Sequence, residues 1–171
     1  GDRYALGKLR GLPDENLSAD MFDLTQDLCG AAGMPAYEVS NHARDSAQSR
    51  HNLIYWRYGD YLGIGPGAHG RLTVDGHRHA TVCYSNPKRW LATVDSNAAE
   101  KSRDQLDRSD EGTEFLLMGL RLRDGIDLNR YQSLVQKPLG IEKLAHLTDI
   151  GMIHATESRL TVTNQGFKVL N

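Results

Sequence analysis

Cysteine is nearly absent: Cys29 and Cys83 are the only two in 171 residues. Two thiols are too few for the disulfide framework of a small secreted domain. They also fall short of the three or four clustered thiolates that hold a zinc ion or an iron–sulfur cluster. Metal chemistry within this chain therefore has to use histidine. No apolar run approaches the roughly 20 residues of a membrane-spanning helix. Gly1 to Asn16 has no apolar core of the signal-peptide kind, so the expected location is cytoplasmic. Excess positive charge is missing as well, since 20 Lys and Arg stand against 22 Asp and Glu. From Arg108 onward the balance is eight basic residues to eight acidic ones, and the helix candidate Ile141 to Ile150 carries Glu142 and Asp149 beside Lys143. A DNA-binding unit concentrates positive charge to displace counterions, so no nucleic-acid partner is expected.

What is present fits a folded chain of mixed type, with 39% hydrophobic and 25% charged residues. Leu12-Pro13-Asp14-Glu15 opens a helix whose apolar positions Leu17, Met21, Leu24 and Leu28 predict the inward face, with Cys29 beside it. Gly33 stops that helix, and Ala36 to Ser40 alternates as a strand should, which predicts a helix-then-strand step of an α/β layer. Asn41 to Arg50 reads as a loop. Tyr61 to Ile64 is a second strand candidate. Arg71 to Val74 and His77 to Val82 are joined by Asp75-Gly76, a strong hairpin signal. Asn86 with Pro87 starts a helix through Val94. Asn97 to Arg108 turns polar, which places a boundary near Gln105. Beyond it the pattern predicts a helix capped by Ser109, a second from Asp127, a third over Ile141 to Ile150, a strand at Arg159 to Val162 and a last helix capped by Thr163. That order suggests a winged-helix-like unit.

Candidate chemistry concentrates between residues 42 and 79, which hold five of the seven histidines: His42, His51, His69, His77 and His79. All five fall in predicted loops or on the hairpin. His77 and His79 share a strand face but lack a third ligand at local spacing, so surface histidines are the simpler reading. His51 differs, because it stands beside Asn52 and close to Tyr55, Trp56, Tyr58 and Tyr61. An imidazole next to flat aromatic walls is what a haem pocket requires. The loop GIGPGAHG (Gly63 to Gly70) follows a strand candidate but leads into no helical pattern, and Pro66 removes a backbone donor, so a dinucleotide fold is not indicated. Its glycines allow either close approach of backbone to something flat or a tight strand exit.

The segments YEVSNHA (Tyr37 to Ala43), SRHNLIYWRYGDYLGIGPGAHG (Ser49 to Gly70), RSDEGTEFLLMGLRLRDGIDL (Arg108 to Leu128) and the closing RLTVTNQGFKVLN follow one another in an order that resembles the C-terminal portion of the HemW-like haem chaperones. These belong to the radical S-adenosylmethionine group related to oxygen-independent coproporphyrinogen III oxidase. The resemblance implies that residues 1–104 are the last helix-strand units of a partial β/α barrel with a β-hairpin extension, and 105–171 a small, mostly α C-terminal domain. It implies a haem-binding chaperone that hands haem to acceptors such as membrane cytochromes, cytoplasmic or peripheral at the inner face of the membrane. The family's HNxxYW motif falls on His51, Asn52, Tyr55 and Trp56, with His51 as haem-iron ligand. Gly65, Gly67, Ala68 and His69 would approach S-adenosylmethionine or haem. The family's C-x3-C-x2-C cluster motif does not occur here, so no radical chemistry is expected of this chain alone. An open barrel edge would favour a homodimer. The alternative implied reading is the substrate-contacting half of a coproporphyrinogen oxidase, with Arg50, Arg57 and Arg71 on propionates.

Overall fold

The computed structural model describes residues 11–96 and 98–170. Gly1 to Arg10, part of the stretch read for a signal peptide, lies outside them, as do Asn97 and Asn171. Helix α1 spans Glu15–Ala31, with the Asp14 carboxylate accepting from the Leu17 N–H at 2.8 Å. This cap satisfies one of the donors a helix leaves open at its start. A short helix α2, Arg50–Trp56, follows a turning segment, and Ser49 caps it by accepting from the Asn52 N–H. Strands β1 (His69–Val74) and β2 (His77–Cys83) form the hairpin expected from Asp75-Gly76. Both turn residues take positive φ, 51° and 78°, the twist-matched turn for such a pair.

Helix α3 (Pro87–Val94) is capped by Asn86 with Pro87 in its first turn, as the sequence predicts. Strand β3, Glu100–Gln105, then adds to β2, giving a three-stranded antiparallel sheet in the order β1-β2-β3. Half of the polar segment Asn97 to Arg108 is thus an edge strand. Its exposed charged side chains suit an edge, where they discourage pairing with another chain.

The C-terminal part begins with α4, Arg108–Gly119, whose cap is Asp107 rather than Ser109. Then come β4 (Ile126–Asp127), α5 (Leu128–Val135), α6 (Ile141–Asp149), β5 (Ile153–Ala155), β6 (Arg159–Val162) and α7 (Asn164–Lys168). Strand β5 was not foreseen; it pairs with β6 to make a second sheet of order β4-β6-β5. Phe115, Ile126, Ile153 and Leu160 form the core here, and Tyr58, just after α2, joins them. A second cluster sets Val39 against Val162 and Phe167. The molecule is mixed α/β, and its C-terminal core takes in two residues from the chain before it.

Two expected strands are not strands. Ala36 to Ser40 makes only isolated bridges, Ala36 to His42 and Glu38 to Leu122. The reason is Glu38: its fully buried carboxylate accepts from the Ser40 N–H at 2.8 Å, the Ser40 hydroxyl at 2.9 Å and the Asn41 amide at 2.6 Å, which curls the chain into a turn. Tyr61 to Ile64 likewise reduces to one bridge, Tyr61 to Arg71, because the chain folds back on itself at the glycine loop.

Helix α1 also docks the other way round from expectation. Leu17, Met21, Leu24 and Leu28 are each at least half exposed. The opposite face is the docked one: Phe22 packs on the Val39–Phe167 cluster, Gln26 accepts from Arg123, and Asp23 receives the Lys168 ammonium at 2.5 Å.

Candidate functional site

Helix α2 sorts the four HNxxYW residues into two pairs. One turn of helix brings residues four apart onto one side. His51 and Tyr55 share one side: the Tyr55 hydroxyl and His51 Nε2 stand 2.9 Å apart and their rings meet edge to face. Tyr55 in turn rests edge to face on Tyr61, with centroids 4.3 Å apart. His51 is exposed and Tyr55 half-buried. Ile54, Leu62 and Ile64, on α2 and just beyond Tyr61, are large apolar side chains left exposed, Ile64 at 80%. The second pair faces inward. Asn52 donates to the Tyr37 hydroxyl at 3.4 Å, and the Trp56 ring lies 4.5 Å from the Arg121 guanidinium carbon stacked over it. His51 is thus helical rather than in a loop, and the structure does not bring Trp56 to the side that His51 and Tyr55 occupy.

The end of α2 is held firmly. Tyr58 takes φ of 56°, an uncommon conformation for a bulky residue, and is nevertheless buried against Phe115 with the Arg78 guanidinium 3.8 Å from its ring centre. Its hydroxyl has no hydrogen-bond partner among the described residues. Burial, partly offset by Arg78, pushes the Tyr58 phenol well above the usual tyrosine range. Burial raises Tyr61 too, against the pull of Arg71.

The glycine loop is shaped by its own packing. A side chain at Gly63 would meet the His69 carbonyl carbon at 2.5 Å, and one at Gly70 would meet the Thr81 hydroxyl at 2.5 Å. Close packing therefore accounts for both glycines, Gly63 against the His69 backbone and Gly70 against the Thr81 hydroxyl and the Gly63 N–H. The Gly67 N–H donates to the Tyr84 carbonyl at 2.9 Å and the Ala68 N–H to the Gly65 carbonyl at 3.2 Å, so both donors are spent within the fold. Gly65 borders open space, and His69 is exposed at the start of β1.

The arginines named for propionates divide. Arg71 is occupied: it grips the Glu114 carboxylate through Nε and Nη2, the shortest contact being 2.6 Å, and gives Nη1 to the Gly70 carbonyl. A fork filled this way has no donor face left for a ligand carboxylate. Arg57 makes only a loose, exposed pair with Asp124 at 3.7 Å. His77 and His79 are also in local use, His77 with the Gln105 amide and His79 with the His77 carbonyl. Among the described residues no group of three or more His, Cys, Asp or Glu is placed to hold a metal ion. A cavity of about 270 Å³ lies between Trp56, Arg57 and the Asp124–Asp127 turn, lined also by Arg130 and Arg159. That is below the roughly 300 Å³ at which sites for drug-sized ligands begin, and a porphyrin is larger still.

Sequence reading missed Glu38 and Glu114. Burial works against the Glu38 charge, but the Ser40 and Asn41 hydrogen bonds and the Arg121 guanidinium at 3.3 Å outweigh it and hold the carboxyl below its ordinary value. Nothing local announces Glu114, which is defined by the distant Arg71, whereas Glu38 is held first by its neighbours Ser40 and Asn41 and then by the distant Arg121. Helix α2 did carry a signal, the Ser49 cap followed by the four-residue spacings His51–Tyr55 and Asn52–Trp56.

The family model of the HemN C-terminal domain matches residues 106–169. The heme chaperone HemW of Escherichia coli (strain K12) is 38% identical over 112 residues, covering 65% of this chain and 29% of that protein. The chain resembles the C-terminal portion of the HemW-like proteins. HemW of Lactococcus lactis is 28% identical over 99% of this HemW-like chain and 44% of its own length. The mouse mitochondrial radical S-adenosyl methionine domain-containing protein 1 is 39% identical over 70% of this chain and 28% of its own. The HemW-like chain therefore spans less than half the length of these relatives. Among solved structures, the coproporphyrinogen III oxidase of Escherichia coli, a radical SAM enzyme, superposes with a TM-score of 0.65 over 93% of this chain and 40% of its own, at 17% identity. At that identity the likeness is one of fold.

Proposed function

We propose that this chain is the haem-contacting C-terminal portion of a HemW-like chaperone, which holds haem for transfer to acceptor proteins such as membrane cytochromes. The observation that carries the reading is the outer side of α2, where a nitrogen and an oxygen donor, His51 and Tyr55, stand together beside Tyr61 and exposed Ile54, Leu62 and Ile64. Haem needs an iron ligand and a flat apolar surface, and the residue types exposed on and just after α2 support that reading. The cavity under Trp56 is too small for it, so haem lies against the surface, which suits a cargo that must leave again. Asn52 and Trp56 serve by fixing α2 to Tyr37 and Arg121. Gly65, Gly67, Ala68 and His69 form the rim of the loop beyond Tyr61.

In the intact protein the family uses S-adenosylmethionine and a [4Fe–4S] cluster. The residues present do not fit a cluster: Cys29 and Cys83 are the only thiols, and Cys83 is buried with its Sγ donating to the Gly63 carbonyl. This chain alone is accordingly proposed to be without radical chemistry. Formation of 5′-deoxyadenosine after iron–sulfur reconstitution would overturn that.

The order of helices and strands from α4 to β6, with strand order β4-β6-β5, supports reading 105–171 as a winged-helix-like domain. Among the described residues no helix is long and apolar enough to cross a membrane. The bare outer face of α1 supports self-association, which sedimentation at rising concentration tests; a monomer throughout removes it.

The haem reading is tested by titrating hemin into the chain and into the double variant His51→Ala, Tyr55→Phe while following Soret absorption. Loss of the bound spectrum in the double variant is expected. An unchanged spectrum removes the α2 face from the site.

A further inference from the structure

We infer that the cavity between Trp56, Arg57 and the Asp124–Asp127 turn binds a small organic carboxylate whose apolar body is no larger than a single ring. The inference does not rest on the haem reading, since Trp56 lies on the side of α2 away from His51 and Tyr55.

The lining divides by chemistry. Phe115, Leu122 and Ile126 are buried, each at most 4% exposed. Arg57, Arg130 and Arg159 are exposed and set three guanidiniums against the two carboxylates of Asp124 and Asp127. A ligand with an anionic head for the arginines and an apolar body for the buried side chains satisfies both parts. A space of about 270 Å³ excludes haem and accepts a single ring.

The groups left unspent here are mostly donors. Arg130 gives Nη1 and Nη2 to the Arg57 and Tyr58 carbonyls at 2.8 and 3.2 Å, and Arg159 gives Nη1 to the Asp124 carbonyl at 2.7 Å. Those acceptors are neutral, so among the described residues neither arginine is ion-paired. Arg57 has only its loose contact with Asp124 at 3.7 Å, beyond hydrogen-bond length. Trp56 adds a buried Nε1–H with no partner among the described residues. Asp127 is already in use, its Oδ1 accepting from the Asn129 and Arg130 N–H groups at the start of α5. Spare donors call for an acceptor-rich ligand, and a carboxylate offers two oxygens to a guanidinium fork. Asp124 competes for Arg57 only weakly, because its side chain is 75% exposed.

The isotope-labelled full chain is titrated with benzoate, benzamide, acetate and inorganic phosphate, following the Trp56 indole N–H resonance, which Trp90→Phe distinguishes from that of Trp90. Benzoate is expected to move it saturably. It should bind about tenfold more tightly than neutral benzamide and than acetate, which lacks the ring. Arg57→Gln and Arg159→Gln, at exposed positions, should each weaken benzoate about tenfold, and Asp124→Asn should strengthen it about threefold. The double variant His51→Ala, Tyr55→Phe should bind benzoate as wild type does. No saturable shift, equal binding of benzamide, or unchanged affinity in both arginine variants overturns the inference. Acetate or phosphate binding as tightly as benzoate also overturns it, leaving an unselective anion site. Loss of binding in the double variant overturns it by moving the ligand to the outer side of α2.

Discussion

Helix α1 and the C-terminal unit illustrate opposite outcomes of the same kind of sequence pattern. In α4 and β6, apolar positions read from periodicity are where the core forms, with Phe115 and Leu160 each only 3% exposed. In α1 the apolar stripe Leu17, Met21, Leu24 and Leu28 faces out, and no residue of that helix is fully buried. Periodicity reports that a face is apolar; it does not say which neighbour covers it. Helix α1 is held by Phe22 and by two polar contacts across long sequence separations, Asp23 with Lys168 and Gln26 with Arg123.

The contrast is broken or sharpened by substitution on each side, the largest effect being expected at Phe167. It is 1% exposed and joins β6, α1 and the Val39 turn. Phe167→Ala should cost about 3–5 kcal/mol in urea unfolding, through lost burial and the cavity left behind. A loss below about 1 kcal/mol would mean the second cluster is not a core.

Glu38 comes next. Glu38→Gln should destabilise by about 1–3 kcal/mol, because the amide cannot accept from Ser40 and Asn41 and face Arg121 as the carboxylate does. Its folded carboxyl lies below the ordinary value, so its contribution is present above the unfolded value and is lost as pH falls through the folded one. Wild type should therefore lose more stability than Glu38→Gln on acidification below the usual glutamate range. Parallel pH profiles would contradict this account.

Tyr58→Phe removes only a buried hydroxyl without a partner among the described residues, so stability should hold within about 0.5 kcal/mol or rise slightly. A clear loss would reveal a partner for that oxygen. Smallest of all is Leu24→Glu on the outer face of α1, where Leu24 is 58% exposed. Thermal unfolding at a concentration where the chain is monomeric should be unchanged within the scatter of surface substitutions, about 0.5 kcal/mol. A large drop there would show that the stripe is covered within the chain itself.

Legibility varied with the range of the interactions. The Asp75-Gly76 hairpin, the Asn86-Pro87 helix start and the Asp127 and Thr163 caps were all readable, since each depends on neighbours a few residues away. The Ala36 to Ser40 strand failed because alternation carries no warning that Glu38 will close a turn on Ser40 and Asn41. The site was legible as a motif but not as an arrangement. That His51, Tyr55 and Trp56 lie together in sequence says nothing of the helix that separates Trp56 from the other two.

By itself the sequence determined the mixed α/β class, the supply of only two thiols, and the local starts and stops that depend on caps and turn residues. Tertiary structure decided which face of α1 docks, that the Arg71 fork closes on Glu114, and that His51 meets Tyr55 while Trp56 meets Arg121. The division has a physical cause. Backbone preferences act over three or four residues, whereas a side chain's partner is chosen by packing between segments tens of residues apart, where burial and hydrogen bonding are settled together.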